Sequence, residues 1–191
     1  MSNENQDEIA TILEQTEKLD FLIQSLVKLS RMESGIIAVH SEDTTIKQML
    51  ESIQQQFNVK VREKNITLSL CDTDLHIRCD SKWTVEALGN IVDNAIKYTA
   101  CGGNVQIKVE QYSFFVKIDI IDDGIGIEKE EIPKIFGRFY RSLSVADQPG
   151  VGIGLFLARE IIQAQKGYIK VTSKRGKGST FSVFLPIAKK E

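Results

Sequence analysis

Three stretches of the 191-residue chain carry residue types whose spacing could do chemistry. The first runs Glu86-Ala-Leu-Gly-Asn90-Ile-Val-Asp-Asn94-Ala-Ile-Lys97-Tyr98-Thr99. In a helix, Glu86, Asn90 and Asn94 fall at i, i+4 and i+8 and project from one face, with Lys97 near them one turn on. Leu88, Ile91, Val92, Ala95 and Ile96 supply the opposite, apolar face. Asn is a modest helix former, so two in register beside a lysine need a reason. Their carboxamide oxygens suit a hard cation such as Mg²⁺, which takes oxygen ligands and keeps several waters. The same residues also describe a plain polar face. The second stretch, Ile120-Ile-Asp122-Asp123-Gly124-Ile125-Gly126-Ile127, ends an apolar strand in a glycine-punctuated turn. Alternate glycines let a backbone turn sharply and approach a ligand. A carboxylate placed there can accept a hydrogen bond from an exocyclic amine; a tight turn with two solvated acids has the same sequence. The third, Gly150-Val-Gly152-Ile153-Gly154-Leu155, opens a helix, whose free N–H groups and positive dipole end make a phosphate seat. It is not the dinucleotide fingerprint, because no strand precedes it and the spacing is GxGxG. Gly176-Lys177-Gly178-Ser179 lacks the upstream glycine of a P-loop.

The elements that must hold these residues follow from periodicity. Ile9, Ile12, Leu13, Leu19, Leu22, Ile23, Leu26, Leu29 and Met32 form one apolar helical stripe over residues 9–33, close to a heptad seam, and Gly35 stops that helix. Beyond it the pattern becomes mixed α and β. A short edge strand is expected at Ile36–Val39, a helix at Thr44–Val59, and strands at Ile66–Cys71 and Leu75–Arg78. Ser81 is placed to cap a helix running to about Tyr98 and ended by Cys101-Gly-Gly. Val105–Glu110 and Phe114–Ile121 read as antiparallel strands joined at Gln111-Tyr-Ser. A short helix is expected at Glu130–Ile135, a polar mobile loop at Arg141–Gly150, a helix at Gly154–Gln165, and closing strands at Tyr168–Ser173 and Thr180–Leu185.

Composition narrows the function classes. With 42% hydrophobic and 26% charged residues, the chain is neither disordered nor fibrous. Cys71, Cys79 and Cys101 are odd in number and form no CxxC, which argues against a disulfide scaffold or a zinc site and suits a reducing cytosol. No apolar stretch reaches bilayer length, and the acidic N-terminus is unlike a signal peptide. The net charge of −2 conceals an asymmetry: residues 134–191 hold 11 basic and 3 acidic side chains, against 13 and 23 before them. That excess either solvates the C-terminal surface or meets an anion, and Lys134, Arg138 and Arg141 lie just before the glycine loop.

In order along the chain come the Asn helix, the Asp-Gly-x-Gly turn, Phe136-Gly-Arg138-Phe139-Tyr-Arg141, Gly150–Leu155 and Gly176–Phe181. This series resembles the N, G1, F, G2 and G3 boxes of the sensor histidine kinases, within the wider ATPase group shared with gyrase-type topoisomerases, MutL-type repair proteins and heat-shock chaperones. It covers roughly residues 9–187, and Leu26-Val-Lys-Leu-Ser-Arg31-Met-Glu-Ser-Gly35 is similar to the second dimerisation helix of that family. The resemblance implies an α+β chain: part of a dimerisation domain at 1–36, second helix only, and a catalytic ATP-binding domain at 37–191 built as a two-layer sandwich, a mixed sheet covered by helices on one face. It implies ATP and Mg²⁺ as ligands. Asp122 would accept the adenine amino group, with Gly124, Gly126 and Ile127 shaping the base pocket and Ser179 or Thr180 assisting. Asn94 would ligate Mg²⁺ with support from Asn90, while Lys97 and Tyr98 reach phosphates and ribose. Gly150, Gly152, Ile153, Gly154 and Leu155 would cradle the phosphates, with Arg138 and Arg141 near the lid. Phe136 and Phe139 would either pack the lid base or serve as core aromatics.

Hydrolytic members of that group carry a Glu where this chain has Asn90. An amide takes no proton at neutral pH, so water is poorly activated and the γ-phosphoryl is kept for a positioned nucleophile. The family's nucleophile is a His on the first dimerisation helix. His40 stands beyond Gly35 and His76 in an expected strand, so neither matches the acceptor box. The chain is therefore read as a cytoplasmic fragment that cannot autophosphorylate, cut from a sensor anchored in the bacterial cell membrane. Its expected partners are the missing acceptor helix, a response regulator receiver domain and a second copy in the parent homodimer, with no nucleic acid. A non-catalytic nucleotide-binding or partner-binding module, and a serine kinase of the same ATPase group, are the alternatives.

Overall fold

A computed structural model of the chain describes residues 8, 9, 12, 13, 15, 16, 19, 20, 22–24, 26–28 and 30 of the N-terminal segment, then 39–145, 148 and 150–187. The described residues between 8 and 30 are helical. The expected stop at Gly35, most of the expected strand at 36–39 and the 36/37 domain boundary lie outside the described residues. Next come β1 (Glu42–Thr45), α1 (Ile46–Glu63), β2 (Thr67–Leu70), β3 (His76–Cys79), α2 (Ser81–Tyr98), β4 (Asn104–Gln111) and β5 (Phe115–Asp122). A 3₁₀ turn at Leu143–Val145, α3 (Gly154–Ala164), β6 (Tyr168–Ser173) and β7 (Ser179–Pro186) complete the order. β2-β4-β5-β7-β6 form a mixed sheet in which only β2 and β4 run parallel, and β1 pairs antiparallel with β3 in a separate ribbon.

Alternation along the strands builds the core. Val105 and Ile107 of β4, Val116, Ile118 and Ile120 of β5, and Phe181, Val183 and Leu185 of β7 turn inward. They meet Ile53 and Phe57 of α1, Leu88, Ile91 and Val92 of α2, and Leu157, Ile161 and Ile162 of α3 in one continuous cluster. Each such side chain contributes about 1.5–3 kcal/mol of burial. The opposite sheet face is polar and aromatic, with Lys117 bridging Glu110 and Asp119, and Tyr168 stacked on Phe184 at 4.5 Å.

Two elements differ from the expectation in informative ways. The N-cap of α2 is Asp80, whose carboxylate accepts the Trp83 N–H at 3.1 Å, and Ser81 is already helical. Both residue types cap well, and the charged Asp, one position earlier, takes the cap. Residues 130–135 form successive turns instead of a helix. Pro133 removes an N–H and steers Ile132 away from helical backbone, so the bonds are mostly short-range, as from Lys134 N–H to Glu131 O and from Gly137 N–H to Lys134 O.

Candidate functional site

A cleft of roughly 1150 Å³, counting the part open to solvent, lies between α2, the turn after β5 and the loop entering α3. Its two ends are built differently. At the first, Asp122 closes β5 and is 7% exposed. Its Oδ1 accepts the Gly124 N–H at 3.0 Å and the Ser179 N–H at 3.2 Å, which leaves Oδ2 for the cleft. Burial pushes this carboxyl above the usual carboxylate range, and the two N–H groups, with the Ser179 hydroxyl, pull it back. Glycine makes the wall possible. A Cβ on Gly126, at φ +66°, would come 2.1 Å from the Lys174 carbonyl oxygen, and one on Gly178, at φ +83°, 1.9 Å from that of Asp122. The turn after β5 and the β6–β7 turn therefore touch backbone to backbone, joined by the Gly176 N–H to Ile125 O at 2.7 Å. Ser173 completes the seam: its Oγ accepts the Ile127 N–H at 2.8 Å and donates to Gly178 O at 2.9 Å.

At the second end, α3 starts without a side-chain cap and without an acidic residue in its first turn. Its leading N–H groups and positive dipole end are thus left for something outside the helix. Gly150 and Gly152, at φ +138° and +77°, carry the chain into it. Asn90 donates its Nδ2 hydrogen to Glu86 O at 3.0 Å, so its oxygen faces the glycine loop, where a Cβ on Gly154 would meet it at 2.9 Å. Asn94 lines the same wall. Lys97 lies 4.7 Å from the centroid of the Tyr98 ring, and Gly150 leaves room beside its ammonium. Burial, reinforced by the Arg141 guanidinium, lowers Lys97 to about 8, and burial pushes the Tyr98 phenol up. Arg141 also donates to Val145 O at 3.0 Å and to Gln148 O, folding the loop over the cleft. Among the described residues no group of three His, Cys, Asp or Glu could hold a metal ion.

Asn90, Asn94, Lys97, Tyr98, Asp122, Gly126, Ile127, Arg141, Gly150, Gly152, Ile153, Gly154, Leu155 and Ser179 all line the cleft. Three expected residues do not. Gly124 sits behind the wall, where a Cβ would strike Tyr98 O at 2.5 Å. Thr180 is paired across the sheet with Ile121 and Thr172, one position out of phase with the inward Ser179. Arg138 places its guanidinium 5.0 Å from the Phe156 ring. Phe136 packs edge-on against Phe181 at 6.5 Å, whereas Phe139 is 51% exposed at φ +62°. Sequence reasoning missed Asp93, Glu131, Tyr140, Ser144 and Arg175, all of which line the cleft. Arg175 donates to Ser144 Oγ at 3.3 Å and approaches Glu128 at 3.8 Å, linking the β6–β7 turn to the loop over the cleft. Its adjacency to Gly176 in the Lys174–Gly178 turn was the available signal.

Residues 79–189 match the model of the histidine kinase-, DNA gyrase B-, and HSP90-like ATPases. The sensor histidine kinase WalK of Bacillus subtilis (strain 168) is 33% identical over 177 residues, spanning 90% of this chain and 29% of WalK. The sensor protein kinase PmrB of Pseudomonas aeruginosa is 29% identical over 171 residues, 89% of this chain and 36% of PmrB. The chain thus spans about a third of the length of these curated relatives. Among solved structures, the Acinetobacter baumannii histidine kinase AdeS superposes with a TM-score of 0.77 at 25% identity, covering 95% of this chain and 84% of that one. Histidine kinase ThkA, solved in complex with the response regulator protein TrrA, reaches 0.81 at 22% identity, over 100% of this chain and 54% of the other, and supports the fold. A buried carboxylate on a glycine turn, an uncapped helix behind a glycine loop and this match along more than half its length together place the chain in the histidine kinase-, DNA gyrase B- and HSP90-like ATPase family.

Proposed function

We propose that this chain binds Mg-ATP and presents the γ-phosphoryl to a histidine on a separate helix, as the nucleotide-binding part of a two-component sensor kinase. One observation carries the reading: a single cleft joins a buried carboxylate with a spare oxygen to an uncapped helix N-terminus flanked by a desolvated lysine. Asp122 Oδ2 accepts the adenine amino hydrogen, while Gly126 and Ile127 close around the base. Lys97 and the α3 N–H groups neutralise phosphate oxygens, with Tyr98 and Arg141 beside them. Asn90 and Asn94 would hold Mg²⁺ through their carboxamide oxygens, and the ion would supply positive charge against the phosphates. Asn90 and Asn94 offer carboxamides and no base. Glu86 is engaged by Lys28 at 2.7 Å and does not line the cleft, and the lining carboxylates Asp93 and Glu131 are held by Lys60 at 2.6 Å and by the Tyr140 hydroxyl at 3.1 Å, so a water there meets poor activation. The phosphoryl is thereby reserved for an incoming imidazole, with ADP leaving.

His40 and His76 are exposed and neither lines the cleft. Transfer is accordingly assigned to an acceptor helix supplied in trans. The N-terminal helical residues Ile12, Leu13, Leu19, Ile23 and Leu26 are exposed, which suits pairing with such a helix and with a second copy in the parent. A receiver domain would be the next acceptor, and the parent sensor is assigned to the cell membrane. Among the described residues no helix is long and apolar enough to cross a membrane. Calorimetry with a non-hydrolysable ATP analogue, with and without Mg²⁺, is expected to show binding; no heat in either condition overturns the reading. Label from γ-labelled ATP is expected on an added acceptor helix, acid-labile as phosphohistidine is, and absent from the chain alone.

A further inference from the structure

The last carbonyls of a helix have no partner within it and must be satisfied from outside. At the end of α2 they are those of Ile96, Lys97, Tyr98 and the C-cap Thr99, and every one is taken. Lys64, the C-cap residue of α1, donates its ammonium hydrogens to Ile96 O at 2.9 Å, Lys97 O at 2.9 Å and Thr99 O at 2.7 Å. An ammonium has three donors, and here all three are spent on one helix end. The remaining carbonyl, Tyr98 O, accepts the Ile125 N–H at 3.3 Å, from the turn that carries Asp122.

The arrangement continues on both sides. The Lys64 carbonyl accepts the Gly102 N–H at 3.0 Å, fixing the loop that leaves α2. That loop delivers Asn104, which grips both Asp123 carboxylate oxygens at 2.9 and 2.8 Å, one through its N–H and one through Nδ2. Gly124 lies so close to Tyr98 O that a Cβ would stand 2.5 Å from it. The helix bearing Asn94, Lys97 and Tyr98 and the turn bearing Asp122 thus meet at one row of carbonyls, and Lys64 holds three of the four.

We infer that Lys64 is a positioning residue for the nucleotide: outside the cleft, it sets the distance between the phosphate-binding helix end and the base-binding turn. A positive charge at a helix C-terminus is favourable in its own right, so the proposal must be separated from simple capping. A cap that only stabilised the fold would change global unfolding and leave the Ile125 N–H as protected as its neighbours. The inference rests on the Mg-ATP reading for its functional consequence, but not for its structural core.

The test uses the full chain and two variants, Lys64→Met and Lys64→Arg. In the nucleotide-free protein, native-state amide exchange is expected to quicken about tenfold or more at Ile125 and Gly102 in Lys64→Met, with β7 amides unchanged. By calorimetry the same variant should bind a non-hydrolysable ATP analogue about tenfold more weakly, and Lys64→Arg, which keeps the charge but whose planar fork cannot aim a tripod of hydrogens at three carbonyls, should recover only part of both effects. Uniform acceleration of all amides, unchanged exchange at Ile125, or unchanged analogue affinity in Lys64→Met overturns the inference. Absence of analogue binding in the unsubstituted chain would instead sink the Mg-ATP reading, while the exchange measurement still decides the role of Lys64.

Discussion

The two ends of the cleft obey opposite rules. At the Asp122 end nearly every polar group has an internal partner, the backbones of two turns touch, and one carboxylate oxygen is left over. At the α3 end the helix is uncapped, the glycines sit at positive φ, and lysine and arginine lie near one another in partial burial. The first end is complete without a ligand and can discriminate, since a fixed acceptor rejects a group that brings no hydrogen. The second is incomplete and gains most from an anion. The rigid end is suited to discrimination and the uncapped end to binding strength.

The largest expected break in that contrast comes from closing the contact between the turns. Gly126→Ala puts a Cβ 2.1 Å from a carbonyl oxygen at φ +66° and should cost about 3 kcal/mol or more in stability, read by denaturant unfolding. The open-space Gly176→Ala, at φ +73°, should cost only about 1 kcal/mol of backbone strain, so equal losses in the two would contradict the tight-contact account. Next, Asp122→Asn should weaken nucleotide binding by about 1–3 kcal/mol with Mg²⁺ present, because a charged acceptor becomes a neutral one; unchanged affinity by calorimetry removes Asp122 from the base pocket.

Lys97 sharpens the other side. Its proton leaves as pH rises through about 8, below the ordinary 10.5. Bound phosphate would hold that proton, so affinity for the analogue should fall by up to about tenfold per pH unit above pH 8. Lys97→Met should flatten this limb. The nucleotide-free fold carries the cost of the buried charge fully below pH 8 and sheds it as the pH rises towards 10.5, so stability and affinity should move in opposite directions there. The smallest effect belongs to the Lys28–Glu86 pair, whose side chains are about a third exposed. Lys28→Ala should change stability by no more than about 1 kcal/mol by thermal melting.

The rigid end was the more legible in the sequence. Asp122 and Gly126 announce themselves because a carboxylate closing an apolar strand and glycines at fixed offsets are local features. Choosing between Ser179 and Thr180 needed the register of β7, since a strand alternates faces and both hydroxyls fit the pattern. Arg138 looked equivalent to Arg141, yet one lies over Phe156 and the other folds the loop over the cleft, a difference set by tertiary packing. Arg175 and Glu131 reach the cleft from separate turns, and no periodicity encodes that meeting. Pro133 was legible and underweighted: it converts the expected helix at 130–135 into turns.

Gln165 has a mechanical consequence. From the end of α3 its side chain accepts the Asp80 N–H at 2.8 Å and meets Thr84 Oγ1, at the start of α2, all in a buried setting. The two helices that wall the α3 end of the cleft are therefore riveted at the end away from it, like the closed end of a pair of tongs. Nothing entering the cleft can spread them there without exposing that knot.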